Sequence, residues 1–80
     1  MPLTNHSLLN EFPEYRDLIH TLKTSDNHFA KLFGEYDDVE HKVHRIESGA
    51  ESTSDEYLES LKKERLRLKD SLFSMLKNAA

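Results

Sequence analysis

Eighty residues without a cysteine exclude a disulfide-stapled or thiolate-zinc fold, and a domain this small buries too little surface to be robust unaided, so self-association is the expected source of further stability. A net charge of −4, from 15 Asp and Glu against 11 Lys and Arg, has the wrong sign for a body that grips phosphates over its whole surface. With 32% charged residues, two glycines and two prolines, the composition is that of a helical chain with much wet surface, not of a sheet with turns.

The opening stretch, MPLTNHSLLNEF, holds neither a basic leader region nor a sustained apolar run, and no stretch approaches the ~20 apolar residues that span a bilayer. A cytoplasmic protein is expected. Pro13 suits the first turn of a helix, and Glu14 and Asp17 lie where the helix dipole favours acids. Phe12, Tyr15, Ile19 and Leu22 recur at 3-4-3 spacing on one face, and Leu8 extends that face back by four. Thr24 to Asn27 then interrupts the pattern with polar residues, several of them good N-caps. The pattern predicts a short helix over about 12–23, then a break.

From Phe29 the apolar residues fall at Phe29, Leu32, Tyr36, Val39, Val43 and Ile46, the 3-4 repeat of a helix that pairs with another helix, here over about 27–47. Ser48 and Gly49 offer a stop, and residues 48–53 a loop. Thr53-Ser54-Asp55-Glu56 has the form of a capping box, with Thr53 as the cap, and opens a second long helix over about 54–77. Its seam is Leu58, Leu61, Arg65, Leu68, Leu72 and Met75. Reversing the chain in the loop opposes Ile46 to Leu58, Val43 to Leu61, Val39 to Arg65, Tyr36 to Leu68, Leu32 to Leu72 and Phe29 to Met75, and places Glu40 near Lys62 and Lys42 near Glu64. Arg65, the one charge on the seam, reads as a register-setting residue whose guanidinium reaches toward Asp38 or Glu35. On that reading Arg65→Leu gains stability and alters the assembly.

The expected fold is therefore all-α: an antiparallel two-helix coiled-coil hairpin with a short N-terminal helix, completed by dimerisation. The hairpin alone offers the short helix no partner. Phe33, Leu66, Phe73 and Leu76 lie off the seam on one flank near the open end of the hairpin, and Phe12, Tyr15, Ile19 and Leu22 form the face that needs covering. These eight residues are the candidate interaction surface, expected to meet within one chain or between two copies. The expected partners are a second copy, in a homodimer, and a further protein.

Candidate chemistry is sparse. Asp37, His41 and His44 fall at i, i+4 and i+7, a spacing at which carboxylate and imidazoles can share a divalent ion, but they lie opposite the seam in water, so no metal site is assigned to them. Lys62, Lys63, Arg67 and Lys69 form a candidate phosphate-binding face, diluted by Glu64 and Asp70 and without an interleaved aromatic ring to stack on bases. No phosphate loop, nucleophile elbow or metalloprotease helix is present, and a hairpin offers no deep pocket. Neither an enzyme nor a cofactor is expected. The leading functional expectation is a small helical protein–protein interaction module or adaptor, and the alternative is a nucleic-acid-associated regulator using the basic face.

The phrases FPEYRDLI, HFAKLF and LKKERLRLKD, within a span from about Glu11 to Leu76, resemble the YdcH-like family of small bacterial proteins of unknown function. The resemblance implies a soluble helical hairpin and brings no catalytic residues to carry over.

Overall fold

The computed structural model describes residues 8–80, and every regular element in them is helical: α1 (Leu8–Glu11), a 3-10 turn (Pro13–Tyr15), α2 (Arg16–Ser25), α3 (Asn27–Glu47) and α4 (Asp55–Ala79). Of the stretch MPLTNHSLLNEF, read above as holding no leader region, residues 1–7 lie outside those described. Pro13 opens the 3-10 turn, where its missing N–H costs nothing. Asp26 alone separates α2 from α3; its backbone is extended, and its carboxylate accepts the N–H groups of His28 at 3.0 Å and Phe29 at 3.1 Å. Gly49, at φ +86, ends α3: its N–H donates to the Ile46 carbonyl while the Ala50 N–H donates to that of Arg45, the paired bonds of a Schellman stop. The start of α4 differs from the expected capping box. Ser54, not Thr53, is the cap, and its hydroxyl accepts the Tyr57 N–H at 3.2 Å.

The two long helices pack along each other as a hairpin, and the 38 Å long axis of the molecule matches 25 residues of α4 at about 1.5 Å each. Burial is shifted to one side of the expected seam: Phe29, Tyr36, Val43, Leu61, Leu68 and Leu72 lie on it, while Glu40 and Leu76 lie off it. In α3 the fully buried residues are Phe29, Tyr36, Glu40 and Val43, with Leu32, Val39 and Ile46 only half-buried; in α4 they are Leu61, Leu68, Leu72 and Leu76, with Leu58, Arg65 and Met75 half-buried. The cause is a third layer. The N-terminal segment folds back against both long helices, burying Leu8 and Ile19 in one core with Phe29, Tyr36, Leu68, Leu72 and Leu76. Each long helix is therefore turned so that its most buried stripe faces two neighbours rather than one. Among the described residues, no helix is long and apolar enough to cross a membrane.

Candidate functional site

The polar residues converge where the N-terminal segment meets the hairpin. Arg65 projects from α4 and donates from Nη1 to Oε1 of Glu40 on α3 at 2.8 Å. Glu40 is 4% exposed while the Arg65 side chain keeps 19% of its surface in water, so the pair is anchored on a buried carboxylate whose desolvation is costly without its cation. Its partner differs from expectation. The spacing places Glu40 near Lys62, and Arg65 near Asp38 or Glu35, yet Lys62 meets Glu47 at 3.1 Å and Glu64 meets Arg67 on its own helix rather than Lys42.

One turn along α3 from Glu40, Tyr36 is buried, and its hydroxyl is pushed up to about 12, first by desolvation and then by the Glu11 and Glu40 carboxylates, with Arg65 opposing. Glu11 closes the group from α1, 3.8 Å from the Lys69 ammonium. Glu11, Tyr36, Lys62, Arg65, Leu66 and Lys69 line a cleft of about 150 Å³. That is below the few hundred Å³ of ordinary ligand pockets, and its phenol is held neutral far above physiological pH.

The predicted interaction surface is divided by the structure. Ile19 and Leu76 are about 1% and 0% exposed in the core of their own chain. Phe12 stacks on Phe73 with centroids 4.9 Å apart, Tyr15 meets the same ring edge-on at 6.1 Å, and Leu22 and Phe33 pack against the core, with Lys23 lying 4.4 Å over the Phe33 ring. Of the two arrangements expected, the faces meet within one chain. Leu66 is left out of that contact, 54% exposed.

On the predicted basic face, Lys62, Arg67 and Lys69 each meet a carboxylate of this chain, while Lys63 is exposed beside Asp55, Glu56 and Glu59. Hydrogen bonding to Arg67 holds the Glu64 carboxyl below its usual range, and the same bond raises Arg67. Asp37 and His41 approach to 3.5 Å on the outer face of α3, both well exposed; His44 does not join them, and the described residues contain no cluster of three or more metal-ligating side chains.

The burial of Glu40 and its pairing with Arg65 are what sequence spacing missed, although a signal existed. Phe29, Phe33, Tyr36, Glu40 and Val43 keep an unbroken 4-3-4-3 repeat parallel to the expected seam.

Comparison with known proteins gives this architecture its relatives. Residues 29–76, from the first buried residue of α3 to the last of α4, match the family described as "Protein of unknown function (DUF465)". This chain belongs to the DUF465 family. It is also 35% identical over 65 residues to Uncharacterized protein YdcH of Escherichia coli (strain K12) and to the protein of the same name in Shigella flexneri, covering 81% of this chain and 88% of either relative. No solved structure matches. The DUF465 description and the relatives' names carry no activity, so the chemistry must be argued from the surface itself.

Proposed function

We propose that this chain is a non-enzymatic protein–protein interaction module, an adaptor that seats an acidic amphipathic helix of a partner protein against α4 at Leu66. The observation that carries this reading is the half-covered apolar stripe of α4. Leu66 and Phe73 lie seven residues apart on one face; Phe12 and Tyr15 cover Phe73, and Leu66 stands 54% exposed at the mouth of the polar cleft. Its helical neighbours at three and four residues are Lys62, Lys63, Lys69 and Asp70. An apolar anchor within a largely cationic rim suits a helix that presents one apolar side chain flanked by carboxylates. The rim's own ion pairs are partly exposed, worth about 0–1 kcal/mol each, so a partner's carboxylates can exchange with them. The nucleic-acid alternative draws no support from this face, whose lysines are interleaved with no aromatic ring to stack on bases.

The test is a binding partner captured with the whole chain, purified, and titrated against wild type and Leu66→Asp. Because Leu66 contributes little to the core, the variant is expected to keep its thermal stability and to lose affinity by roughly tenfold or more, as at an interface centre. Equal affinity for the two proteins overturns the reading.

A further inference from the structure

The break between α2 and α3 is one residue wide. Asp26 sits at φ −126 and ψ 108, yet its own N–H donates to the Leu22 carbonyl at 2.9 Å and its carbonyl accepts the Ala30 N–H at 2.9 Å, so helical bonding runs up to the break from both sides. Rotation about the backbone of this residue alone converts α2 and α3 into one helix over 16–47, about 48 Å long. Nothing in the covalent chain opposes that: Lys23-Thr24-Ser25-Asp26-Asn27-His28 contains neither glycine nor proline.

An independent feature of the sequence points the same way. The apolar stripe running from the 3-10 turn through α2 is Tyr15, Ile19 and Leu22, and the inward stripe of α3 is Phe29, Phe33, Tyr36, Glu40 and Val43, of which Phe33 is half-buried. Placed end to end through Asp26 they keep one unbroken 4-3 repeat from Tyr15 to Val43, with Asp26 at the only polar seam position before Glu40. A break that merely joined two unrelated helices has no reason to preserve that phase. The carboxylate of Asp26 holds the bent form by capping His28 and Phe29; in a straight helix those two amides bond to backbone carbonyls instead.

We infer that Asp26 is a hinge through which the chain exchanges its N-terminal segment with a second copy, forming a symmetric dimer in which each segment lies on the partner's hairpin. The occupant of the surface is fixed by the contacts already made in one chain. Leu8 and Ile19 in the core, Phe12 on Phe73 and Glu11 beside Lys69 are all remade between copies, so exchange gains a continuous helix against the loss of the cap and the entropy of association. This assembly is separate from the Leu66 surface and does not depend on it.

Two substitutions set the hinge in opposite directions. Asp26→Leu removes the cap and fills the seam, favouring the straight form; Asn27→Pro places proline at the first helical position and confines residue 26 to extended backbone, locking the bend. The chain has no cysteine, so thiols introduced one per copy report the exchange directly. Phe12→Cys and Phe73→Cys chains, mixed, unfolded and refolded together, are treated with a short bismaleimide, each also in the Asp26→Leu and Asn27→Pro backgrounds.

Sedimentation is expected to show Asp26→Leu dimerising at least about tenfold more tightly than wild type, given the loss of a cap in each copy. The mixed pair is expected to crosslink at dimer mass, and Asn27→Pro to stay monomeric, folded and uncrosslinked. A dimer of Asp26→Leu no tighter than wild type, or one that forms without the crosslink between positions 12 and 73, overturns the inference. If Asp26→Leu does not fold, the mixed wild-type pair at high concentration decides: crosslinking above the Asn27→Pro level supports exchange, and crosslinking equal to it refutes exchange.

Discussion

Arg65 and Glu40 meet across the hairpin at 2.8 Å, and the pair is buried enough that neither charge can be removed alone without exposing the other's cost. This reverses the sign of a substitution that the apolar spacing suggests. A leucine in place of Arg65 completes the expected seam, but it takes the guanidinium away from the Glu40 carboxylate, which is only 4% exposed. Arg65→Leu is therefore expected to destabilise the fold by about 3–5 kcal/mol, a large part of what a small domain holds. The double variant Glu40→Leu/Arg65→Leu is expected to fall close to wild type or above it. Denaturant titrations arranged as a double-mutant cycle measure the coupling, and an Arg65→Leu single variant more stable than wild type contradicts the buried pair.

Tyr36 gives the fold an alkaline limit. Its pKa is raised to about 12 in the folded chain against 10.0 as the ordinary value, so above pH 10 the unfolded chain loses this proton before the folded one does. The sign follows from linkage: the stabilisation is complete below pH 10 and is lost as pH rises toward 12. Stability measured from pH 9 to 12 is expected to decline, and Tyr36→Phe to remove this part of the decline. An unchanged slope in the variant assigns the alkaline loss elsewhere.

The hairpin was legible because its signals are local. The 3-4 repeats of Phe29 to Ile46 and Leu58 to Met75 need no knowledge of distant residues, and Gly49 marks its stop by a backbone conformation few other residues tolerate. What spacing could not supply was the third layer. A periodic apolar face at Phe12 to Leu22 announces that something covers it and leaves open whether that is this chain, so the turning of both long helices toward Tyr36, Glu40 and Leu76 was hidden. The ion pairs were missed for a related reason. Long side chains reach a turn or more along the axis, so Lys62 finds Glu47 although helix register alone places it near Glu40, and that leaves Glu40 to Arg65, whose register partner Val39 neighbours Glu40 in the chain.

Ile19 and Leu66 were read from sequence as members of one surface, and the structure gives them opposite roles. Ile19 is about 1% exposed in the core, so Ile19→Ala is expected to cost about 2–5 kcal/mol through lost burial and a cavity. Leu66, at 54% exposure, is expected to tolerate Leu66→Ser within about 0.5 kcal/mol. Urea midpoints of the two variants check the contrast, and amide exchange over Arg16–Ser25 localises it, since loss of Ile19 loosens α2 first. Equal destabilisation by both substitutions would mean that Leu66 is covered in solution.

The two glycines test the helix boundaries by the same chemical change with opposite outcomes. Gly34 lies inside α3 with nothing within 4 Å of an added Cβ, so Gly34→Ala relieves the entropic cost of ordering glycine and is expected to stabilise by about 0.5–1 kcal/mol. Gly49 also has open space around its missing Cβ, but its φ of +86 is the left-handed conformation that closes α3. Gly49→Ala is therefore expected to destabilise by about 1–2 kcal/mol for backbone reasons alone. Because neither substitution meets a steric neighbour, thermal midpoints of the pair separate conformational from packing effects. If Gly49→Ala left the midpoint unchanged, the Ala50-to-Arg45 bond and its companion would not be what ends the helix, and the reversal of the chain before Ser54 would have to be set by the packing of α3 on α4.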